Sequence, residues 1–223
     1  MIYLPPMSTP DRQTQFQITL LRHGESVGNA SGYYQGHADF PLTERGESQI
    51  HALSDRWLAE GTSFDQVISS PLSRARQTAE VIAKRLSLPL ETDPEWMERD
   101  AGKYSGLRPE DAFQVFPPPE FIHPYLPFGE TGESRWELYL RAGRVVQALM
   151  RRPPGRYLVV SHGGILNMVM YAILGIAPQA NSQGPHFRFK NSAFAILTYL
   201  PEQHLWRVET LNDHAHWDFD DHD

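Results

Sequence analysis

Short apolar, β-branched runs alternate with segments of helical periodicity along most of this chain, and that alternation restricts its fold more than any other feature. The run FQITLL at 16–21 reads as a buried strand. Thr43 can cap a helix reaching about Glu60, because Ile50, Leu53, Trp57 and Leu58 recur at helical spacing. Positions 64–69 read as a second strand. Pro71 then opens a helix with Ala75, Ala79, Ile82 and Leu86 on one face. Ser134 is a natural N-cap for a helix running to Met150, which precedes a third buried strand at 157–160. A helix bearing Leu166, Val169, Met170, Ile173 and Leu174 follows, and strands at 193–200 and 205–211 close the pattern. Strands separated by helices bury both faces of their sheet. The expected fold class is therefore α/β, a three-layer sandwich with a mostly parallel central sheet and helices on both faces. No compositional break divides the 223 residues, which read as a single domain spanning 1–223.

Three segments depart from the alternation. Residues 1–15 carry three prolines and little to bury, which suggests a mobile arm. Residues 107–131 hold Pro109, Pro117, Pro118, Pro119, Pro124 and Pro127, so neither a continuous helix nor a central strand can cross them. They read as a Pro-rich lid insertion over the site, with room for one short helix near 110–115. Residues 217–223 form an acidic tail, and in the stretch after Asn212 the side chains of His214, His216, Asp218, Asp220, Asp221 and His222 read as solvated rather than metal-binding.

Bulk chemistry excludes several functions. The formal charge of −7 argues against a nucleic-acid partner, although a local arginine cluster can still attract a small anion. With no cysteine, thiolate catalysis, disulfides and Cys-ligated zinc are ruled out. The N-terminal residues lack a basic and then apolar leader pattern, and no apolar run reaches membrane-spanning length. The expectation is a cytoplasmic protein without a membrane partner; oligomeric state is not legible.

Reactive side chains gather at the ends of two strand runs. Arg22-His23-Gly24 follows the first strand and Ser161-His162-Gly163-Gly164 follows the third. In open α/β sheets ligands bind at that edge. Gly24 is read as allowing a sharp turn and close backbone approach to a ligand, and Gly163 and Gly164 lead into a helix whose first N–H groups can face an anion. Arg74 and Arg76, near a helix start, can add guanidinium forks. Two histidines in matched contexts with arginines between them describe a phosphate site.

The blocks LLRHGESVGN, SSPLSRARQTAE, WMERDAGKYSG and VVSHGG, in that order, resemble the histidine phosphatase superfamily, also called phosphoglycerate-mutase-like. The closing LNDHAH is similar as well, so the resemblance runs from about residue 17 to about residue 216. It implies His23 as the nucleophile that forms a phosphohistidine, its second ring nitrogen donating to a backbone carbonyl. It further implies Arg22, Arg74 and His162 as holders of the phosphoryl oxygens and Asn29 as an amide donor. Glu98 is implied as the acid that protonates the leaving group and later the base that activates water. Ser26, Gln35 and the Gly163–Gly164 backbone are further substrate contacts. No metal and no cofactor are implied. An acidic to neutral optimum is expected.

Three readings follow: hydrolysis of a small phosphorylated metabolite, a cofactor-dependent phosphoglycerate mutase, and a non-catalytic phospho-ligand module. Gly28-Asn29 stands where the mutase branch has Trp-Asn. Asp100-Ala101 stands where that branch has His-Tyr, and the lid lacks its paired arginines, so hydrolysis is favoured. Arg76 reads as a solvated helix residue, Arg99 and Asp100 as a surface pair, and His37, His51 and His123 as structural or exposed. Tyr33, Tyr34 and Phe128 can wall an apolar pocket.

Overall fold

A computed structural model describes residues 14–218; the expected mobile arm lies outside these except for Thr14 and Gln15, and so do residues 219–223 of the acidic tail. The chain runs β1 (Phe16–Arg22), α1 (Val27–Ala30), α2 (Glu44–Ala59), β2 (Gln66–Ser69), α3 (Ser73–Leu86), β3 (Leu90–Thr92), α4 (Pro109–Val115), α5 (Arg135–Met150), β4 (Arg156–Ser161), α6 (Gly163–Leu174), β5 (Phe194–Leu200) and β6 (Leu205–Asp213). The strands form one six-stranded sheet in the order β3-β2-β4-β1-β5-β6. The first four in that order are parallel, and β5 and β6 join antiparallel at the β1 side.

Strand alternation sorts the core into two halves. Ile18, Leu20, Val159 and Leu197 pack with Leu138, Val145, Leu166 and Val169 of α5 and α6. Their neighbours Leu21, Leu158, Val160 and Phe194 pack with Ile50, Leu53, Trp57, Ala79 and Ile82 of α2 and α3 on the opposite face. Side chains of period two therefore feed both outer layers, giving the three-layer arrangement the alternation demanded.

Helix starts follow local chemistry in two cases and long-range chemistry in a third. Thr43 Oγ1 accepts from Gly46 N at 3.0 Å at the head of α2. Ser134 and Glu137 form a reciprocal capping box at the head of α5. Helix α3 begins at Ser73, two residues beyond the expected Pro71, and its cap comes from elsewhere: Asp39 Oδ1 accepts from Ser73 N at 2.8 Å and Oδ2 from Ser73 Oγ at 2.7 Å. Strand β3 was not legible, since three residues at a sheet edge carry too little alternation to register.

The lid holds α4 close to the expected place and a turn at Phe128–Glu130. It has a small apolar cluster of its own, in which Tyr104 and Ala112 are buried against Tyr34, Phe116 and Phe128. Among the described residues no helix is long and apolar enough to cross a membrane.

Candidate active site

Sheet order brings the reactive loops together. β1 and β4 are parallel neighbours with Arg22 level with Ser161, and His23 N donates to Ser161 O at 3.0 Å. The loop after β2, which leads to Arg74, leaves the next strand at the same edge because Ser69 is level with Val160. The segment after β3 carries Glu98 back over that edge. The result is a cavity of about 290 Å³ lined by Arg22, His23, Asn29, Gln35, Arg74, Glu98 and Gly164, with Tyr33, Tyr34, Arg99 and Phe128 at its walls.

His23 is buried, and its Nδ1 donates to Gly24 O at 2.6 Å, which fixes the tautomer and leaves the Nε2 lone pair available. Burial first, then the charges of Arg74 and Arg22, hold the ring well below the ordinary histidine range; the Gly24 carbonyl opposes them. His23 is therefore neutral. Arg74, 1% exposed, donates through Nη2 to Gly36 O at 2.8 Å and through Nη1 to Ala38 O at 3.0 Å. Burial pulls it down to about 10, still charged at neutral pH. Arg22 Nη1 donates to Phe189 O at 2.8 Å, while its buried Nε has no hydrogen-bond partner.

Asn29 Oδ1 accepts from Ser26 N, Ser26 Oγ and Asn191 Nδ2 at 3.2, 2.8 and 3.1 Å, an arrangement that leaves the Asn29 amide N–H groups for the cavity. The Gln35 side-chain amide lies against the same Ser26 Oγ at 2.7 Å, whose one hydrogen goes to Asn29. Ser26 itself is fully buried behind both amides and does not line the cavity, so it holds them and is not a contact.

His162 and Gly163 also sit differently from expectation. Both His162 nitrogens are occupied: Nδ1 accepts from Arg74 Nε at 3.2 Å and Nε2 donates to Ser70 Oγ at 2.8 Å. Burial, then the charges of Arg74, His23, Arg22 and Arg141, keep the ring neutral, well below the ordinary range. It backs Arg74 and does not line the cavity. The head of α6 is taken by a protein anion, since Glu98 Oε2 accepts from Gly164 N at 3.0 Å and Oε1 from Ile165 N at 3.2 Å. Glu98 Oε1 also accepts from Arg99 N at 2.7 Å. A Cβ on Gly164 would stand 2.3 Å from Glu98 Oε1, so that glycine makes room for the carboxylate. Gly24 has a packing reason too: its Cβ would stand 2.7 Å from Gly46 O of α2, which replaces the expected close approach to a ligand.

Several supporting residues had no sequence signal. Asn191 Nδ2 lies within 3.2 Å of both His23 O and Gly24 O, bracing the carbonyl that sets the His23 tautomer. Arg141, buried at the side of α5, donates to the carbonyls of Glu95 and Met97 at 2.7 Å and of Glu98 at 3.2 Å, and forks onto Glu133. His37 Nε2 donates to the Glu98 carbonyl at 2.8 Å. Arg99, expected to pair with Asp100 at the surface, instead lines the cavity with its guanidinium 4.3 Å from the Phe128 ring centre and Nε donating to Glu133 O at 2.7 Å. Arg76 pairs with Glu80 at 3.6 Å on the exposed side of α3, as a solvated residue does.

The C-terminal segment buttresses the site from behind. His216 Nε2 meets Ser192 Oγ at 3.0 Å and Ser192 N donates to His23 O at 3.0 Å; burial takes His216 down to about 4. Of the other acidic-tail residues, Asp220, Asp221 and His222 lie outside the described residues. Among the described residues no group of three or more His, Asp or Glu side chains is gathered to hold a metal ion.

The chain belongs to the histidine phosphatase superfamily (branch 1), whose family model matches residues 18–214. The protein named probable phosphoglycerate mutase GpmB of Yersinia enterocolitica is 33% identical over 212 residues, covering 91% of this chain and 95% of that one. The crystal structure of the alpha-ribazole phosphatase from Shigella flexneri superposes with a TM-score of 0.75 at 27% identity, covering 89% of this chain and 97% of that one. The mycobacterial glucosyl-3-phosphoglycerate phosphatase, at 23% identity and a TM-score of 0.72 over 88% of this chain and 99% of that one, shares the fold.

Proposed function

We propose that the protein is a metal-independent phosphomonoester hydrolase acting on a small phosphorylated metabolite through a phosphohistidine on His23. The observation that carries this is the His23 tautomer: a neutral ring, its Nδ1–H tied to Gly24 O, in a cavity walled by the guanidiniums of Arg22, Arg74 and Arg99. Such a ring is a nucleophile without needing to lose a proton first. Nε2 attacks phosphorus as the P–O bond to the leaving group breaks. Arg22, Arg74 and the Asn29 amide take up the charge on the phosphoryl oxygens.

Glu98 protonates the departing alkoxide and then removes a proton from the water that cleaves the P–N bond. Oε2, with one backbone donor against two on Oε1, is the oxygen on which that proton fits. Because His23 stays unprotonated in mild acid, the nucleophile remains competent there, and turnover of alkyl phosphates should peak at acidic to neutral pH.

The relative named as a mutase supports a second reading, phosphoglycerate isomerisation. The departures from the mutase branch at Gly28-Asn29 and Asp100-Ala101 weigh against it. The test is p-nitrophenyl phosphate hydrolysis in excess EDTA. Native protein should turn over unaffected, and His23→Ala should lose at least about a thousandfold, the scale of removing a nucleophile. Loss of native activity on chelation would sink the metal-free reading. Silence with this ester but turnover of 3-phosphoglycerate with 2,3-bisphosphoglycerate would establish the mutase.

A further inference from the structure

Beside the phosphate cavity lies a second one of about 270 Å³, formed largely by the lid. The two share Tyr34, Arg99 and Phe128, so whatever is esterified to a phosphate held at His23 has the second cavity as its neighbour. Its walls are rings: Phe128 stands edge-on to Tyr104 at 5.1 Å and to Tyr34 at 5.4 Å, and Phe113 meets Tyr104 at 5.8 Å. Pro117, Pro118 and Pro119 close one side and give it a stiff, apolar rim.

This apolar cavity also holds two guanidiniums, Arg99 and Arg135. Among the described residues no carboxylate pairs with Arg135; burial first and then the Arg135 charge lower Arg99 to about 10, against the opposing pull of Glu133, Glu98 and Glu137. The one acidic side chain on the wall, Glu130, is engaged by Lys103 at 2.5 Å. On a chain of net charge −7, a local excess of positive charge in an aromatic chamber selects for a particular chemistry.

We infer that the lid cavity is the leaving-group subsite, and that it takes a phosphomonoester whose alcohol is aromatic and carries an anionic group such as a carboxylate. The inference rests on the hydrolase reading and adds the class of leaving group to it. Ring walls bury the flat apolar part, and Arg135 with Arg99 meets the anion.

The test is kcat/KM for ethyl, benzyl and 4-carboxybenzyl phosphate, three primary-alcohol esters of similar intrinsic reactivity, with native protein and Arg135→Gln. Benzyl phosphate should exceed ethyl phosphate by about tenfold or more, as burial of a ring implies. The carboxylate should add about another tenfold, a charge-assisted contact. Arg135→Gln should bring the carboxybenzyl-to-benzyl ratio close to one. Equal values for all three esters would overturn the subsite and leave the hydrolase standing. A benzyl preference without a carboxylate preference, or a carboxylate preference that Arg135→Gln leaves intact, would overturn the anion assignment. No turnover of any ester, p-nitrophenyl phosphate included, would remove the hydrolase reading and the subsite with it.

Discussion

Glu98 and Gly164 show how tightly one residue's role depends on another's size. The carboxylate sits on the first N–H groups of α6, in space that a Gly164 side chain would occupy at 2.3 Å from Oε1. Since a carboxylate at the end of a flexible side chain can swing aside, Gly164→Ala should fold and displace Glu98. Alkyl phosphate turnover should then fall about a hundredfold, the scale of losing a general acid, while p-nitrophenyl phosphate, whose leaving group needs no proton, falls much less. Equal losses with both esters would mean that Glu98 does not serve as the acid. Gly163→Ala should cost far less, because its Cβ would meet Arg22 only at an ordinary 3.8 Å. At this scale His23, Arg22 and Arg74 were legible as candidates because reactive types cluster in short blocks beside strand ends, whereas Asn29 and Glu98 came only from the family resemblance. Their orientation was not legible. Nothing in VVSHGG says that His162 turns both nitrogens toward Arg74 and Ser70, or that Ser26 stands behind the amides.

Among the elements, α5 matters for more than its apolar face. Its buried Arg141 holds three carbonyls of the 95–98 segment and the Glu133 carboxylate, tying the loop that carries Glu98 to a rigid helix. Arg141→Leu would leave Glu133 and those carbonyls without their donor in a buried setting. Breaking a pair of this kind costs about 3–5 kcal/mol, to be read from urea denaturation, and turnover should fall with it. Adding Glu133→Leu should restore part of the stability but not the turnover, since the 95–98 carbonyls stay unbraced. A pattern of apolar residues at helical spacing predicts where α5 buries, yet an arginine within it reads as solvated until its partners are known.

For the whole molecule, two fully buried neutral histidines at the sheet edge link stability to pH. In the unfolded chain each binds a proton near 6.5, whereas burial and the neighbouring arginines keep both folded rings unprotonated well below that. Between those limits the unfolded state binds more protons, so stability rises with pH. As pH falls below about 6.5, the two rings together should cost up to about 3 kcal/mol per pH unit. Urea midpoints at pH 7.5, 6.5 and 5.5 check this, and His162→Asn should shallow the slope; a flat profile would contradict neutral burial. The sequence by itself determined five of the six strands, the longer helices, the two-faced burial and the residue types at the strand ends. Periodicity and local propensity reside in consecutive residues and need no partner. Only the tertiary structure decided that β1 lies beside β4, that Asn191 braces His23 across 168 positions, and that Asp39 caps a helix 34 residues away. Those choices depend on hydrogen bonds and packing between distant segments, which leave no period in the chain.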